Sequence, residues 1–223
     1  MRRLLLGAAV LAALVTVLAV LVAHSVPALL DVDAAAGAAL RFDGGGSTGV
    51  DVLQVLTAPG LSVFRLVILL PLAVWYAVRR EFRVTGFIVV AAVVVGPLTT
   101  LLKELVGRVR PTADDPLVAA DGLSFPSGHS SGAATLAGIL LVLLWSVVNH
   151  RWRVWLAGAL VLAATCVAWT RIALGVHYLS DVLGGLSLGA AVVLASMAVF
   201  GIYPGGPAER SASGRVDAAA RSD

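Results

Sequence analysis

Three short polar segments interrupt a chain that is otherwise strongly apolar. The first runs from Lys103 to Arg110-Pro111, the second is Pro126-Ser127-Gly128-His129, and the third runs from Arg171 to Asp181. Lys103, Arg110 and Arg171 supply three cations, His129 and His177 supply two imidazoles, and Asp181 supplies a carboxylate. Such a set can hold a tetrahedral dianion, attack it from one side and protonate its leaving oxygen from the other, which are the requirements of phosphoryl transfer.

The first segment places two cations seven residues apart. If the preceding helix continues, Lys103 and Arg110 lie two turns apart on one face, and Pro111 helps to end the helix. Two cations on one face can bind two edges of one anion. The alternative is that these side chains reach toward lipid headgroups, as basic residues at a membrane border commonly do.

The second segment stands at the start of a predicted helix. Ser127, Gly128 and His129 would present unpaired N–H groups and the positive end of the helix dipole to an anion. His129 adds a proton donor. The alternative, an ordinary serine N-cap, accounts for the serines but leaves the histidine unexplained.

The third segment pairs a histidine with a carboxylate. His177 and Asp181 are four residues apart, so on a helix they meet on one face. A carboxylate behind an imidazole fixes its tautomer and makes the other ring nitrogen a competent nucleophile or base. Arg171 adds the third cation. The alternative is a His–Asp pair that only stabilises the helix.

The elements that carry these segments are membrane helices. The chain is 59% hydrophobic and 13% charged, whereas soluble domains carry about 25% charged residues. We predict an all-α fold, a polytopic membrane helical bundle over residues 1–203, followed by a disordered cytoplasmic tail over residues 204–223. Six stretches are apolar enough for transmembrane helices: Leu4–Ala23, Leu61–Val78, Val84–Leu102, Ser131–Val148, Val154–Thr170 and Leu179–Ile202.

The distribution of basic residues predicts the orientation. With the N-terminus inside, ten of the 16 basic residues are cytoplasmic and five lie outside, which agrees with the positive-inside rule. Both termini are then cytoplasmic, and all three polar segments face outward. The long outer connection over residues 24–60 is predicted to contain a glycine hinge at Gly44–Ser47 and a short interfacial helix over Asp51–Thr57. The scattered basic residues give no indication of nucleic-acid binding.

With these motifs in place, the chain resembles the type 2 phosphatidic acid phosphatase (PAP2) family. That family carries K-x6-RP, then PSGH, then SR-x5-H-x3-D, and every internal spacing fits, with Thr170 in place of the serine. The resemblance implies that His177 attacks phosphorus, that Asp181 orients it and that His129 protonates the leaving group. It also implies that the phosphoryl oxygens are bound by Lys103, Arg110, Ser127, Gly128 and Arg171.

The resemblance further implies a metal-independent enzyme without a cofactor. Asp114, Asp115 and Asp121 form an acidic loop with no histidine at a useful spacing, so no metal site is predicted. The expected protein is a bacterial plasma-membrane phosphatase acting on a lipid phosphate or diphosphate. Candidate substrates are polyprenyl diphosphate, phosphatidylglycerol phosphate and phosphatidic acid, and an outward site favours the first.

Three alternatives remain open. A phosphotransferase would use the same residues to pass the phosphoryl group to an alcohol. A non-enzymatic lipid or anion transporter would place charged groups near the membrane midplane, where the predicted spans carry none. A vanadium-dependent peroxidase shares the motifs in a soluble fold, which six apolar spans argue against.

Overall fold

The computed structural model describes residues 1–42, 46–111, 117–118 and 120–203. Within these residues the chain forms helices and no strands. A 3-10 turn at Ala58–Gly60 precedes the fourth helix. The predicted tail, the aspartates Asp114 and Asp115, and Gly44 and Gly45 of the predicted hinge lie outside the described residues. The helices are α1 (Arg2–Ala23), α2 (Pro27–Leu40), α3 (Gly46–Thr57), α4 (Ser62–Val78), α5 (Phe82–Val106), α6 (Gly128–Leu144), α7 (His150–Ala173) and α8 (Leu179–Phe200).

All six apolar stretches form helices, but not all six are long enough to be counted as spans. Among the described residues, α1, α5, α7 and α8 are long and apolar enough to cross a membrane. A fifth span arises if α4 is joined to the segment Gly46–Gly60, from which it is bent by 42°. Helix α6 has only 17 residues. The structure therefore confirms the prediction of an all-α, multi-pass membrane protein, but it does not confirm that the chain has six spans.

The connection between α1 and α4 is more helical than predicted. It contains two helices, α2 and α3. The predicted interfacial helix over Asp51–Thr57 is the C-terminal part of α3, which begins at Gly46, so Gly46 and Ser47 of the predicted hinge are helical. Pro27 occupies the first turn of α2, where its missing N–H costs no hydrogen bond. Helix α2 was not predicted, because its alanine-rich stretch with two aspartates lacks a strong apolar periodicity.

Helix α8 is the central element of the bundle. It packs against α1, α5, α6 and α7. In an apolar 18-residue stretch of α8, 67% is buried inside the protein, compared with 17% in the corresponding stretch of α1. The largest buried apolar cluster joins α4, α5, α6 and α8 through residues that include Leu69, Phe87, Ile139 and Val192. Because α8 is central, the residues at its N-terminal end are held inside the protein.

Helices α6 and α8 approach each other closely through glycines. A Cβ added at Gly185 would lie 2.5 Å from the carbonyl oxygen of Ser127, and one added at Gly189 would collide with the carbonyl oxygen of Ser131. Small residues permit such close contact between helix backbones in membranes. The contact fixes the start of α6 beside the start of α8.

Substitution of Gly189 tests this contact. We expect Gly189→Ala to destabilise the protein by roughly 1–3 kcal/mol, because the added methyl group overpacks against backbone. The control is Gly158→Ala in α7, where an added Cβ meets nothing within 4 Å and alanine favours the helix by up to about 1 kcal/mol. Thermal unfolding of the purified proteins in detergent measures both, and equal stability of the two variants would contradict the packing argument.

Candidate active site

The three polar segments meet at one end of the bundle. They lie at the end of α5, at the start of α6 and in the connection from α7 to α8, which antiparallel packing brings together. Direct contacts join them: Arg110 of the first segment lies 3.0 Å from the ring of His177 of the third. The backbone N–H of Ser127 in the second segment donates to the carbonyl oxygen of Asp181 at 3.0 Å.

The two cations of the first segment do not share a helix face, contrary to the sequence prediction. Helix α5 ends at Val106, and Gly107 follows in a left-handed conformation with a φ of 66°, which glycine adopts readily. Lys103 therefore lies in the last turn of the helix, and Arg110 lies in the loop beyond. The glycine cap reverses the chain, so the two cations approach the site from different directions.

Both cations are anchored by the segment that leads into α6. The Lys103 ammonium donates to the carbonyl oxygen of Leu123 and, at 3.3 Å, to that of Ser124. The Arg110 guanidinium donates to the carbonyl oxygens of Asp121 and Gly122 at distances between 3.0 and 3.2 Å. These bonds orient the cations before any anion binds.

His177 is held on both ring nitrogens. Its Nδ1 lies 3.3 Å from Oδ2 of Asp181, and its Nε2 lies 3.0 Å from Nη1 of Arg110. An arginine only donates hydrogen bonds, so Nε2 is the acceptor and Nδ1 carries the proton toward the carboxylate. The nitrogen with the free electron pair is therefore Nε2, which faces a cation that can also bind an anion.

Asp181 receives several buried donors at the start of α8. Its carboxylate accepts hydrogen bonds from the Ser124 hydroxyl, from the backbone N–H of Tyr178 at 2.9 Å and from Arg108 at 2.8 Å. The sequence places His177 and Asp181 on one helix, but α8 begins only at Leu179. The pair still meets, because Asp181 lies in the first turn and folds back over the residues that precede it.

The three site residues predicted at the start of α6 differ in their structural roles. The Ser127 side chain accepts from the N–H and the hydroxyl of Ser130 at 3.4 and 3.0 Å, and it is completely buried. It acts as an N-cap, as the alternative interpretation of the sequence had it. Gly128 and His129 are the first two helical residues, so their N–H groups have no acceptor within the helix.

Arg171 is a buried cation at the end of α7. It is 8% exposed, its Nη1 lies 3.3 Å from the Thr57 hydroxyl, and its Nε has no hydrogen-bond partner among the described residues. Burial, followed by the charges of Arg171, His177 and Arg110, lowers the pKa of His129 to about 3. Arg171 is thus a buried cation whose charge acts on the His129 ring and whose Nε donor is unused among the described residues.

Two ion pairs link Asp181 through Arg108 to Asp33, and this relay was not predicted from the sequence. Arg108 bridges Oδ1 of Asp181 at 2.8 Å and Oδ2 of Asp33 at 2.6 Å, and its guanidinium lies 3.8 Å from the centre of the Tyr178 ring. Asp33 also accepts the N–H of Ser180 at 2.8 Å. In the sequence, Arg108 stands out only because the positive-inside rule disfavours a basic residue on the predicted outer side. Nothing in the sequence singles out Asp33.

A cavity of about 280 Å³ adjoins the site between α4, α5 and α6. Lys103, Gly128 and His129 line it, whereas His177 does not. Among the residues that the structure describes, no aspartate or glutamate lines it. Within the described part of the chain, no group of three or more histidine, cysteine, aspartate or glutamate side chains could hold a metal ion.

Burial lowers the pKa of His177 to about 4, although the hydrogen bond and charge of Asp181 oppose the shift. The ordinary value is about 6.5, so the ring is uncharged at neutral pH. Between pH 6.5 and 4 an unfolded chain takes up a proton here and the folded protein does not. The contribution of this group to stability is therefore complete above pH 6.5 and declines as the pH falls toward 4.

Nuclear magnetic resonance of ¹⁵N-histidine-labelled protein tests this ionisation. We expect the ring nitrogens of His177, assigned by their loss in His177→Asn, to keep the shifts of a neutral Nδ1–H tautomer from pH 7.5 down to about pH 5. Protonation of this ring between pH 6 and 7 would show that the site does not suppress its charge.

Comparison with known proteins identifies related sequences. A sequence model described as the PAP2 superfamily matches residues 83–202. Phosphatidylglycerophosphatase B of Bacillus subtilis is 42% identical over 96 residues, which cover 41% of this chain and 46% of that protein. Decaprenylphosphoryl-5-phosphoribose phosphatase of Mycobacterium tuberculosis is 38% identical over 122 residues, covering 51% of this chain and 58% of that protein. The chain thus spans about half the length of these relatives.

A solved structure extends the similarity over most of the fold. The crystal structure of a transmembrane PAP2-type phosphatidylglycerolphosphate phosphatase from Bacillus subtilis superposes with a TM-score of 0.70 at 29% identity. The superposition covers 86% of this chain and 95% of the other. The chain is a multi-pass membrane protein, and because the family model matches more than half of its residues, it belongs to the PAP2 superfamily.

Proposed function

We propose that this protein is a metal-independent membrane phosphatase that hydrolyses a lipid phosphate or diphosphate through a phosphohistidine. The observation that carries the proposal is the environment of His177. Its Nδ1 faces Asp181 and its Nε2 faces Arg110, so a neutral nucleophile points at a cation able to bind the phosphoryl group under attack. The relatives named as phosphatases support the same reaction class.

In the first step, Nε2 of His177 forms a bond to phosphorus and the bond between phosphorus and the leaving oxygen breaks. Burial and the neighbouring cations keep His129 neutral, so in this proposal it takes up its proton with the phosphate dianion, whose negative charge raises the pKa of this histidine, and then gives that proton to the leaving oxygen. The positive charge that develops on the His177 ring is stabilised by Asp181, and the phosphoryl oxygens are bound by Lys103, Arg110, Arg171 and the N–H of Gly128. The Ser127 hydroxyl contributes indirectly, because it caps the helix that presents these amides.

In the second step, water attacks the phosphohistidine. His129, now neutral, accepts a proton from the water as the new oxygen–phosphorus bond forms and the nitrogen–phosphorus bond breaks. Inorganic phosphate leaves, and both histidines return to their starting states. An alcohol in place of water would give phosphoryl transfer by the same residues, so the nature of the acceptor decides between hydrolysis and transfer.

Arg108 and Asp33 are positioning residues in this proposal. They act through Asp181, which Arg108 holds at one carboxylate oxygen while the other oxygen faces His177. Because Asp33 belongs to α2, the relay ties the outer connection to the catalytic pair. A carboxylate fixed in this way keeps the imidazole in one tautomer and one orientation.

The proposed location is the outer face of a bacterial plasma membrane, with both termini in the cytoplasm. The positive-inside distribution supports this orientation. A site at the ends of membrane helices lets the tail of a lipid remain in the bilayer while its phosphate reaches the cations. Polyprenyl diphosphate, phosphatidylglycerol phosphate and phosphatidic acid are the proposed substrates, and an outward site favours polyprenyl diphosphate.

Phosphate release from purified protein tests the proposal. In EDTA, we expect wild type to release phosphate from at least one of these three lipids, and His177→Ala to reduce turnover by about 10⁴-fold or more, as loss of a nucleophile does. Rapid quenching of wild type at neutral or alkaline pH should trap acid-labile phosphohistidine. Activity that requires added Mg²⁺, or a fully active His177→Ala protein, would contradict the mechanism.

The relay predicts a second kinetic effect. Arg108→Gln removes a charged donor from Asp181, and we expect kcat to fall about 10- to 100-fold while KM changes little, since Arg108 does not bind the substrate directly. Arg108→Lys should recover part of kcat. The control is Arg83→Gln, which removes a bond to the carbonyl oxygen of Phe200 at the opposite end of the bundle and should leave kcat unchanged. A change in KM alone would assign Arg108 to substrate binding.

A further inference from the structure

Arg65 is a buried cation that the mechanism above does not use. It lies in the first turn of α4 and is only 5% exposed. Its Nε has no hydrogen-bond partner among the described residues, and its one side-chain hydrogen bond within them is a long contact of 3.4 Å to the hydroxyl of Ser62. No carboxylate lies within 4 Å of it in the described part of the chain. A guanidinium offers five donors, so most of its capacity is unused.

Burial of such a group is costly unless it meets an anion. An unpaired buried charge is strongly unfavourable. Ionisable residues retained in the membrane-embedded part of a protein usually have a functional partner. The missing partner of Arg65 is therefore expected to be an anion that enters from outside the protein.

The position of Arg65 shows where that anion would bind. A Cβ added at Gly132 would lie 2.6 Å from Nη1 of Arg65, and a Cβ added at Gly60 would lie 2.8 Å from Cβ of His129. The guanidinium therefore packs on the first turns of α6, one turn from His129. Arg65 also lines the cavity of about 280 Å³ that His129 and Lys103 line, and none of its described lining residues is acidic.

This cavity lies on the leaving-group side of the reaction. In the proposed mechanism His177 attacks and His129 protonates the leaving oxygen, and only His129 of the two lines the cavity. The apolar side chains of Leu61 and Val95 complete its wall. A leaving group that enters here meets two cations, Lys103 and Arg65, in addition to the proton donor.

We propose that Arg65 binds a second phosphate, carried by the leaving group of the substrate. The substrate class is then a lipid with two phosphates, in which the second is bonded directly to the reacting one, as in a diphosphate, or lies a few bonds away, as in the phosphodiester of phosphatidylglycerol phosphate. Both present the same singly charged phosphate to the guanidinium. This inference rests on the proposed function, since it assigns the leaving group to the His129 side.

Matched pairs of substrates test the proposal. We compare polyprenyl diphosphate with polyprenyl monophosphate, and phosphatidylglycerol phosphate with phosphatidic acid. Arg65→Gln should lower kcat/KM for the two-phosphate member of at least one pair by about 10- to 100-fold, the effect of a lost charged hydrogen bond. It should lower kcat/KM for the one-phosphate member by less than about 3-fold, because that substrate has no second phosphate for Arg65 to bind.

Two further variants separate binding from structure. Arg65→Lys keeps a point charge and should retain part of the preference, because lysine cannot make the paired contact of a guanidinium. Arg79→Gln makes the same change at the other end of α4, where Arg79 stacks 4.2 Å from the centre of the Trp75 ring, and should leave the preference unchanged. Activity on the one-phosphate lipids serves as the internal control for folding.

The pair that responds identifies the source of the second phosphate. A loss confined to the diphosphate places it next to the reacting group, and a loss with phosphatidylglycerol phosphate places it across the glycerol. Either result supports the proposal. An equal loss on both members of each pair, or no loss on any, would overturn it.

A binding measurement distinguishes failure of the phosphatase proposal from failure of the proposal that Arg65 binds a second phosphate. The affinity of wild type and Arg65→Gln is measured for the methylene bisphosphonate analogue of polyprenyl diphosphate and for the corresponding monophosphonate. We expect Arg65→Gln to weaken only the bisphosphonate, by about 10-fold or more. If wild type releases phosphate from no substrate, the phosphatase proposal fails while this measurement still decides the role of Arg65. Unchanged bisphosphonate affinity would overturn that role even in an active enzyme.

Discussion

The carboxylate of Asp181 is the point on which the arrangement of the site depends. It is completely buried and accepts hydrogen bonds from the Ser124 hydroxyl, the Tyr178 N–H and Arg108 while it faces the ring of His177. Ser124 and Arg108 lie in the connection from α5 to α6, and Tyr178 lies in the connection from α7 to α8. A buried carboxylate left without these donors would be strongly unfavourable, so the segments that carry them must converge. Convergence at this one group also orients the imidazole whose other nitrogen faces Arg110.

The glycine contact between α6 and α8 makes this convergence possible. Gly185 and Gly189 bring the backbone of α8 against the start of α6, and the N–H of Ser127 reaches the carbonyl oxygen of Asp181. The helix end that offers free amides is thereby fixed beside the histidine pair. In a membrane, where the hydrophobic effect does little to bring helices together, such close packing has to supply the attraction.

Charge is distributed unevenly around the site, and this has a chemical consequence. Arg108 forms ion pairs with Asp33 and Asp181 and orients the carboxylate beside His177. Arg65, which lines the cavity, and Arg171, at the end of α7, retain donors without a partner among the described residues. In the proposed mechanism the paired cation positions the catalytic carboxylate, and these unpaired cations bind phosphate oxygens. The proposed preference for two phosphates follows from the position of Arg65, which shares the cavity with His129.

The sequence by itself determined the helical membrane fold and the identity of the reactive groups, because apolar stretches and short motif spacings are local properties. It located Lys103, Arg110, His129, Arg171, His177 and Asp181 in three segments at helix ends, and the structure brings them together. Only the tertiary structure decided the end of α5 at Gly107, the capping role of Ser127, and the positions of α2, Arg108 and Arg65. The physical reason is that these features depend on partners distant in the chain: Asp33 and Ser180 are 147 residues apart, and no local pattern encodes which buried cation meets a carboxylate and which remains unpaired.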